Sequence, residues 1–546
     1  MSYTAHSDTF ARDHLPPREQ WPDLVFDLPA LRYPDRMNAA TELLNRALDR
    51  GWGDRAAIRS PAGVRWTYAE LDAHANRIAH VLVEDMGLVP GNRVLLRAPN
   101  NPLHAACLFG VLKAGGIAVS TMPMLRAKEL TDIVTKSEIS HALCDIALAA
   151  ELDAARAKCP SLVNVVHFGD AAHDGLAARM AGKSPSFASV DTAADDTALI
   201  AFTSGTTGTP KAAMHFHRDL IAACDCWPPA MLRATADDVF TGSPPLAFTF
   251  GLGGLLLFPL RIGASTLLIE KPSPDALLPA IAEHRATVLF TAPTSYRAMA
   301  RAAGAHDLSS LAKCVSAGEA LPAPTRKLWK DATGIDIIDG IGATEMFHIF
   351  ISHDDTHVKP GATGTVVPGY RAAIMDDHGH PVPPGTVGRL AVKGPTGCRY
   401  LADDRQRTYV QGGWNYTGDA YCVDADGYYV YQGRTDDMII SSGYNIGGPE
   451  VEGALLTHPA VAECGVIGVP DEERGQIVKA FVVLQPGFYS SPDLVVKLQE
   501  FVKQSIAPYK YPRAIEFIAA LPRTGTGKIQ RSQLRQMERE RTGAGS

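Results

Sequence analysis

The stretch from Arg93 to Ser120 constrains the fold more than any other part of the chain. Arg93-Val-Leu-Leu-Arg97 reads as a strand, Asn101 followed by Pro102 opens a helix, Gly115-Gly116 closes it, and Ile117-Ala-Val-Ser120 reads as a second strand. Strand, crossover helix and strand in that order make a parallel pair, and parallel sheets need helices over their faces. Upstream, Thr67 and Glu70 have capping-box spacing, and Leu71, Ala75, Ile78 and Leu82 fall on one helical face. The same rhythm returns at 287–290 and 314–316. The fold class expected is α/β, with parallel sheets covered by helices.

The texture changes twice further on. From about Gly361 short strands are punctuated by turns such as Asp376-Asp-His-Gly379 and Asp424-Ala-Asp-Gly427, which marks a β-rich subdomain over about 361–434. After Gly433 a small α+β unit follows: a helix near 449–457, strands at 461–469 and 480–484, and a helical face of Leu494, Leu498, Phe501 and Ile506. The expected division is a large N-terminal domain, 1–434, and a small mobile C-terminal domain, 435–546.

Charge and composition remove several classes of function. The net charge is −7, which lacks the basic face that nucleic-acid binding needs. No apolar run approaches the roughly 18 residues of a membrane span, and the first residues carry charges and prolines instead of a secretory core. The nine cysteines form no C-x-x-C pair, so neither a disulfide framework nor a zinc site follows, and a reducing cytoplasm is the expected compartment. His215-Phe-His217 has H-x-H spacing without a third ligand in view. Ser204 lacks a G-x-S-x-G setting, and Gly251-Leu-Gly253 lacks the third glycine of a dinucleotide loop.

The segment richest in chemistry is Thr203-Ser204-Gly205-Thr206-Thr207-Gly208-Thr209-Pro210-Lys211, between two strand-like runs. Its glycines let backbone N–H groups turn toward a polyphosphate, its hydroxyls add donors, and Lys211 adds charge. It is not a Walker A loop, because Pro210 precedes the lysine and Ala212 follows it. Taken alone, a surface hairpin is the competing reading.

Six further segments follow in order: Ser316-Ala-Gly-Glu-Ala-Leu-Pro322, Gly340-Ile-Gly-Ala-Thr-Glu345, Tyr416-Thr-Gly-Asp419, Gly433-Arg434-Thr-Asp-Asp437, Ser441-Ser-Gly-Tyr-Asn445 and Leu521-Pro-Arg-Thr-Gly-Thr-Gly-Lys528. With the hydroxyl-rich loop, the set resembles the adenylate-forming superfamily of acyl- and aryl-CoA synthetases, peptide-synthetase adenylation domains and luciferase, from about Thr67 to Arg531. The resemblance implies ATP, Mg²⁺ and coenzyme A as co-reactants. It places 203–211 over the β- and γ-phosphates, Glu345 with Thr206 at the metal beside Thr344, and Asp419 on the ribose hydroxyls. Gly318, Glu319 and Ala320 then line the adenine, Arg434 contacts ribose and phosphate, Asp436 is the hinge, and Gly443 lies beside the pantetheine arm. Lys528 is the expected catalytic cation, bridging two anions as a carboxylate attacks the α-phosphate.

Pro244-Pro-Leu-Ala-Phe-Thr-Phe-Gly-Leu-Gly253, Gly340-Ile-Gly-Ala-Thr-Glu-Met-Phe-His-Ile349 and Gly443-Tyr-Asn-Ile-Gly-Gly-Pro-Glu450 resemble the aryl-CoA ligase branch, near benzoate- and 2-aminobenzoate-CoA ligases. That resemblance implies a ring slot between Thr249, Phe250 and Gly251 on one side and Gly342, His348 and Ile349 on the other. Benzoate enzymes commonly carry Ala-Tyr where this chain has Thr249-Phe250, and Thr249 offers a polar contact to a ring substituent. His348 either bonds that substituent or packs. The expected partners are a small aromatic carboxylic acid and CoA, in a monomer or homodimer with no nucleic acid or membrane. A medium-chain acyl-CoA synthetase and an adenylation enzyme loading a carrier protein are the alternatives.

Overall fold

The computed structural model describes residues 3–169, 174–203, 210–442, 444–523 and 528–542. The capping box forms: Thr67 Oγ1 accepts the Glu70 amide at 3.1 Å, and the Glu70 carboxylate accepts the Thr67 amide at 2.8 Å. Two otherwise orphaned donors at the start of helix Tyr68–His80 are thereby satisfied. Leu71, Ala75 and Ile78 are buried on that helix, and Leu82 is buried one turn later. Asn101 accepts the His104 amide at 2.9 Å and caps helix Pro102–Lys113.

Strands Arg93–Arg97 and Ile117–Thr121 pair in parallel within a six-stranded sheet. Its edge is an antiparallel pair, Thr197–Thr203 with Lys211–Phe216, which sets Thr203 opposite Lys211. A nine-stranded sheet holds a parallel series that includes Val239–Gly242, Val288–Thr291, Lys313–Ser316 and Ile337–Gly342. One apolar core joins the two sheets: Leu96 and Ala118 of the first and Phe240 and Phe290 of the second share it with Ile78, Phe109 and Trp227 from intervening helices. His215 and His217 are both fully buried in this body.

The β-rich part is a five-stranded antiparallel sheet made of Arg371–Met375, Gly388–Lys393, Val410–Gln411, Trp414–Val423 and Tyr429–Arg434. Asp376 and Asp424 build its turns by accepting amides ahead of them, Asp424 Oδ1 from Asp426 at 3.0 Å and Tyr428 at 2.9 Å. Strand Ile439–Ser441 belongs to a fourth sheet, with Tyr444–Ile446, Val461–Asp471, Gly475–Leu484 and Ala514–Phe517. It has its own apolar core, fed by helices Gly448–Leu455 and Pro492–Ser505.

One expectation fails here. Ile506 does not continue the face of Leu494 and Leu498; the helix stops at Ser505, and Ile506 is extended at φ −136° and ψ 176°. Pro508 limits the helix from two residues on: its ring supplies no N–H to extend the ladder, and Ala507, the residue before it, lies outside the helical region at φ −52° and ψ 126°. Val502 takes the buried place instead. Among the described residues no helix is long and apolar enough to cross a membrane.

Candidate active site

The two strands that flank the hydroxyl-rich loop deliver its end residues, Thr203 and Lys211, side by side at the sheet edge. Ser204, Gly205, Thr206, Thr207 and Gly208 lie outside the described residues, as does Gly443. Lys211 Nζ stands 5.3 Å over the Tyr400 ring and 6.0 Å over that of Tyr409. Tyr400 is there because its segment runs along the Lys211–Phe216 strand: the Met214 amide donates to Arg399 O at 2.8 Å, and the Leu401 amide to Ala212 O at 2.9 Å.

The Tyr400 hydroxyl donates to Glu345 Oε1. Glu345 is buried, and Oε2 accepts no hydrogen bond from a described residue. Burial and the adjacent carboxylate push the Tyr400 phenol far above its usual range, so it remains a donor. Thr344 and Glu345 form a 3₁₀ turn between strands Ile337–Gly342 and Ile349–Ser352. The chain leaves that turn through Phe347 at φ 69° and ψ −51°, with the His348 amide donating to Met346 O at 2.9 Å. This is the rare, strained γ-turn, which costs about 1–3 kcal/mol. The buried Phe347 ring, edge-on to His215 at 5.3 Å, holds it in place. The turn sends Glu345 to Tyr400 and His348 to the rings of Phe250 and Phe258.

Asp419 and Arg434 face each other across neighbouring strands, with Arg434 Nη1 3.3 Å from Asp419 Oδ1 and 2.8 Å from Thr417 O. Burial raises the Asp419 pKa, and the Arg434 guanidinium opposes that rise. Arg434 Nε also lies 3.5 Å from Asp436, which is exposed between the third and fourth sheets. Gly318 has φ +92°, a conformation that favours glycine, and a methyl group there would sit 3.4 Å from Lys528 Cε and 3.6 Å from Nζ. The Lys528 side chain therefore lies across Gly318, although the residue stays exposed to solvent. Partial desolvation holds its pKa below the ordinary lysine value, against the pull of Glu319 and Asp419. Glu319 is pushed up by burial and drawn down by Lys528, and its Oε1 is buried without a hydrogen-bond partner. Ala320 is exposed beside it.

The acyl-side residues are assembled by packing. Thr249, Phe250 and Gly251 occupy the short helix Thr249–Leu252, which passes into a π-helical turn, Gly253–Leu257. His348 is buried among rings, 4.5 Å from Phe258, 5.5 Å from Phe250 and 5.7 Å from Trp227. Gly253 permits that approach, since a methyl group there would stand 2.6 Å from His348 Cδ2. Burial pushes the imidazole down to about 3, so it is neutral; Nε2 lies 3.3 Å from Phe250 O, and Nδ1 is buried without a partner. Ile349 pairs with Gly342 across the antiparallel strands. The structure thus brings Phe250, Phe258 and Trp227 to His348, joins Lys211 and Glu345 through Tyr400, pairs Asp419 with Arg434, and lays Lys528 over Gly318.

Tyr400 and Tyr409 were not legible as neighbours of Lys211 and Glu345, nor was the buried state of Asp339. The two tyrosines stand in an irregular segment without periodicity, and only the third dimension brings them to Lys211 and Glu345. Asp339 precedes Gly340; it is buried, raised by that burial to about 7 against the opposing Arg326 guanidinium, and its Oδ1 has no partner. The signal available was a carboxylate within an otherwise apolar strand.

The AMP-binding enzyme profile matches residues 45–400, and the AMP-binding enzyme C-terminal domain matches 450–528. The chain is 37% identical over 513 residues to a benzoate–CoA ligase of Thauera aromatica, covering 93% of this chain and 97% of that one. It is 34% identical to a mitochondrial acyl-coenzyme A synthetase of Rattus norvegicus, over 87% of this chain and 84% of the relative. An anthranilate CoA ligase solved with anthranoyl-AMP superposes with a TM-score of 0.89 at 35% identity, covering 93% of this chain and 99% of that chain. A benzoate CoA ligase from Burkholderia xenovorans LB400 gives 0.83 at 34% identity, covering 91% and 100%. With both profiles matched in order and these relatives matched over most of their length, the chain belongs to the AMP-binding enzyme family, as an ATP-dependent, AMP-forming acid–thiol ligase of the acyl- and aryl-CoA kind.

Proposed function

We propose that this ligase activates a small aromatic carboxylic acid, 2-aminobenzoate or a closely related benzoate. The observation that carries the reading is the cluster of aromatic rings, Phe250, Phe258 and Trp227, gathered around the buried His348. Flat acids suit such an aromatic lining, and the unpartnered His348 Nδ1 together with Thr249 gives an ortho substituent polar neighbours. The similarity to benzoate- and anthranilate-CoA ligases supports the same reading.

In the first half-reaction a carboxylate oxygen attacks the α-phosphorus of ATP and pyrophosphate leaves. Lys528 stabilises the charge that gathers between the two anions, which otherwise repel. Asp419 accepts from the ribose hydroxyls, Arg434 contacts ribose and phosphate, and Gly318, Glu319 and Ala320 admit the flat base; Thr203, Lys211 and the loop between them hold the outer phosphates. A magnesium ion suits the donor set, since Glu345 offers one oxygen no described residue engages and a hard cation needs few protein ligands. Glu345 with Thr206 would hold it, and when bound it neutralises phosphate charge. In the second half-reaction the CoA thiolate attacks the acyl carbonyl and AMP leaves. Asp436 is the hinge that exchanges the Lys528 segment for the one carrying Gly443, within domains 1–434 and 435–546.

Pyrophosphate release across benzoate, 2-aminobenzoate, hydroxybenzoates, phenylacetate and hexanoate, with and without CoA, tests the assignment. The expected result is fastest turnover with 2-aminobenzoate or a benzoate, and AMP release that depends on CoA. Faster turnover with hexanoate would refute the aryl reading; transfer to a carrier protein but not to CoA would refute the thiol.

A further inference from the structure

A glutamate carboxylate turns easily about its last torsion, whose rotamer well is broad and two-fold. A carboxylate that must present one chosen oxygen to a cation therefore needs its other oxygen anchored. At Glu345 that anchor is the Tyr400 hydroxyl, donating to Oε1 while Oε2 accepts nothing from the described residues.

Tyr400 is itself held on every side. It is fully buried, its backbone amide donates to Gln406 Oε1 at 2.9 Å, and its ring meets Tyr409 edge-on at 5.8 Å. Its neighbours on either side are hydrogen-bonded to the strand that begins at Lys211, and the Lys211 ammonium stands over its ring. One side chain therefore bonds the Glu345 carboxylate through its hydroxyl and carries the Lys211 ammonium over its ring. We infer that Tyr400 is a positioning residue of the ligase, fixing the Glu345 carboxylate plane so that Oε2 faces the nucleotide-bound divalent cation.

This rests on the reading of Glu345 as the metal-binding carboxylate, and the experiment separates the two. Mn²⁺ is titrated into the enzyme–ATP complex, without acid, and followed by electron paramagnetic resonance for the wild type, Tyr400→Phe, Glu345→Gln and the double variant. Loss of an outer-shell partner of a metal ligand costs about 10–100-fold in metal affinity. Tyr400→Phe is expected to weaken Mn²⁺ by about tenfold or more, and to add nothing in the Glu345→Gln background. Affinity for an acyl-adenylate analogue that needs no metal should not change, which a merely structural role would not predict.

Unchanged Mn²⁺ affinity in Glu345→Gln would overturn the metal reading, and the inference with it. A weakened Glu345→Gln beside an unaffected Tyr400→Phe would overturn the inference alone, as would equal losses for Mn²⁺ and the analogue. Should Tyr400→Phe fail to fold, 3-fluorotyrosine at position 400 alters the donor without altering the packing, and unmoved Mn²⁺ affinity there would overturn the inference equally.

Discussion

On the proposed nucleotide side, Asp419 meets Arg434 across paired strands, Glu345 is held through Tyr400, and Lys528 crosses Gly318. On the proposed acyl side, His348 is neutral and wedged between rings, and the helix against it approaches through glycine. The first side is specified by hydrogen bonds and charge, the second by shape. A side chain lost from the first should slow every acid alike, because all acids share the phosphate chemistry. A side chain altered on the second should reorder the acids and leave the Michaelis constant for ATP nearly unchanged.

The largest break in this contrast is Glu345→Gln. Pyrophosphate exchange should fall about 10²–10³-fold, the range for removing one preorganised electrostatic group, and by the same factor for every acid. A loss confined to one acid would dissolve the distinction between the two sides.

Asp339 sharpens it through pH, since its strand, Ile337–Gly342, serves both sides. Its carboxyl titrates near 7 in the fold against 3.8 when exposed. Between those values the unfolded chain has lost a proton that the native one keeps, so stability declines from about pH 4 to 7, and the penalty is complete above 7. Asp339→Asn should therefore be more stable than the wild type at pH 8 by on the order of 4 kcal/mol, with the gain vanishing near pH 4. Denaturant unfolding at the two pH values measures this; a gain independent of pH would show that Asp339 does not titrate as described.

Gly253→Ala probes the proposed acyl side. The added methyl group must displace His348 or Phe258, at a cost of about 1–3 kcal/mol in stability. The ratio of kcat/KM between 2-aminobenzoate and benzoate should change by about tenfold, with KM for ATP within twofold, in steady-state assays. An unchanged ratio would place the acyl slot elsewhere.

The same contrast explains what could be read in advance. The strand–helix–strand unit, the capping box and the Asp-turn hairpins were legible because each is local: a cap, a period or a turn residue within a few positions. Asp419 and Lys528 were named through the resemblance of the motifs around them, and the structure adds their neighbours, Arg434 and Gly318. Tyr400 was not, since its role exists only where residues 399–401 lie along the strand from Lys211. Nor could the environment of His348 be read: Trp227, Phe258 and Phe250 converge on it from different segments. Ile506 was misplaced because apolar periodicity outweighed the proline two residues on.

The proposed function stands most directly on Lys528, the side chain that lies across Gly318. The measurement is single-turnover kinetics of Lys528→Ala in each half-reaction: acyl-adenylate formation from acid and ATP, and thioester formation from supplied acyl-adenylate and CoA. The prediction is a loss of 10³-fold or more in the first, the scale of a transition-state cation in phosphoryl transfer, and a second rate within a few-fold of the wild type. Equal losses in both, or turnover left intact, would contradict it.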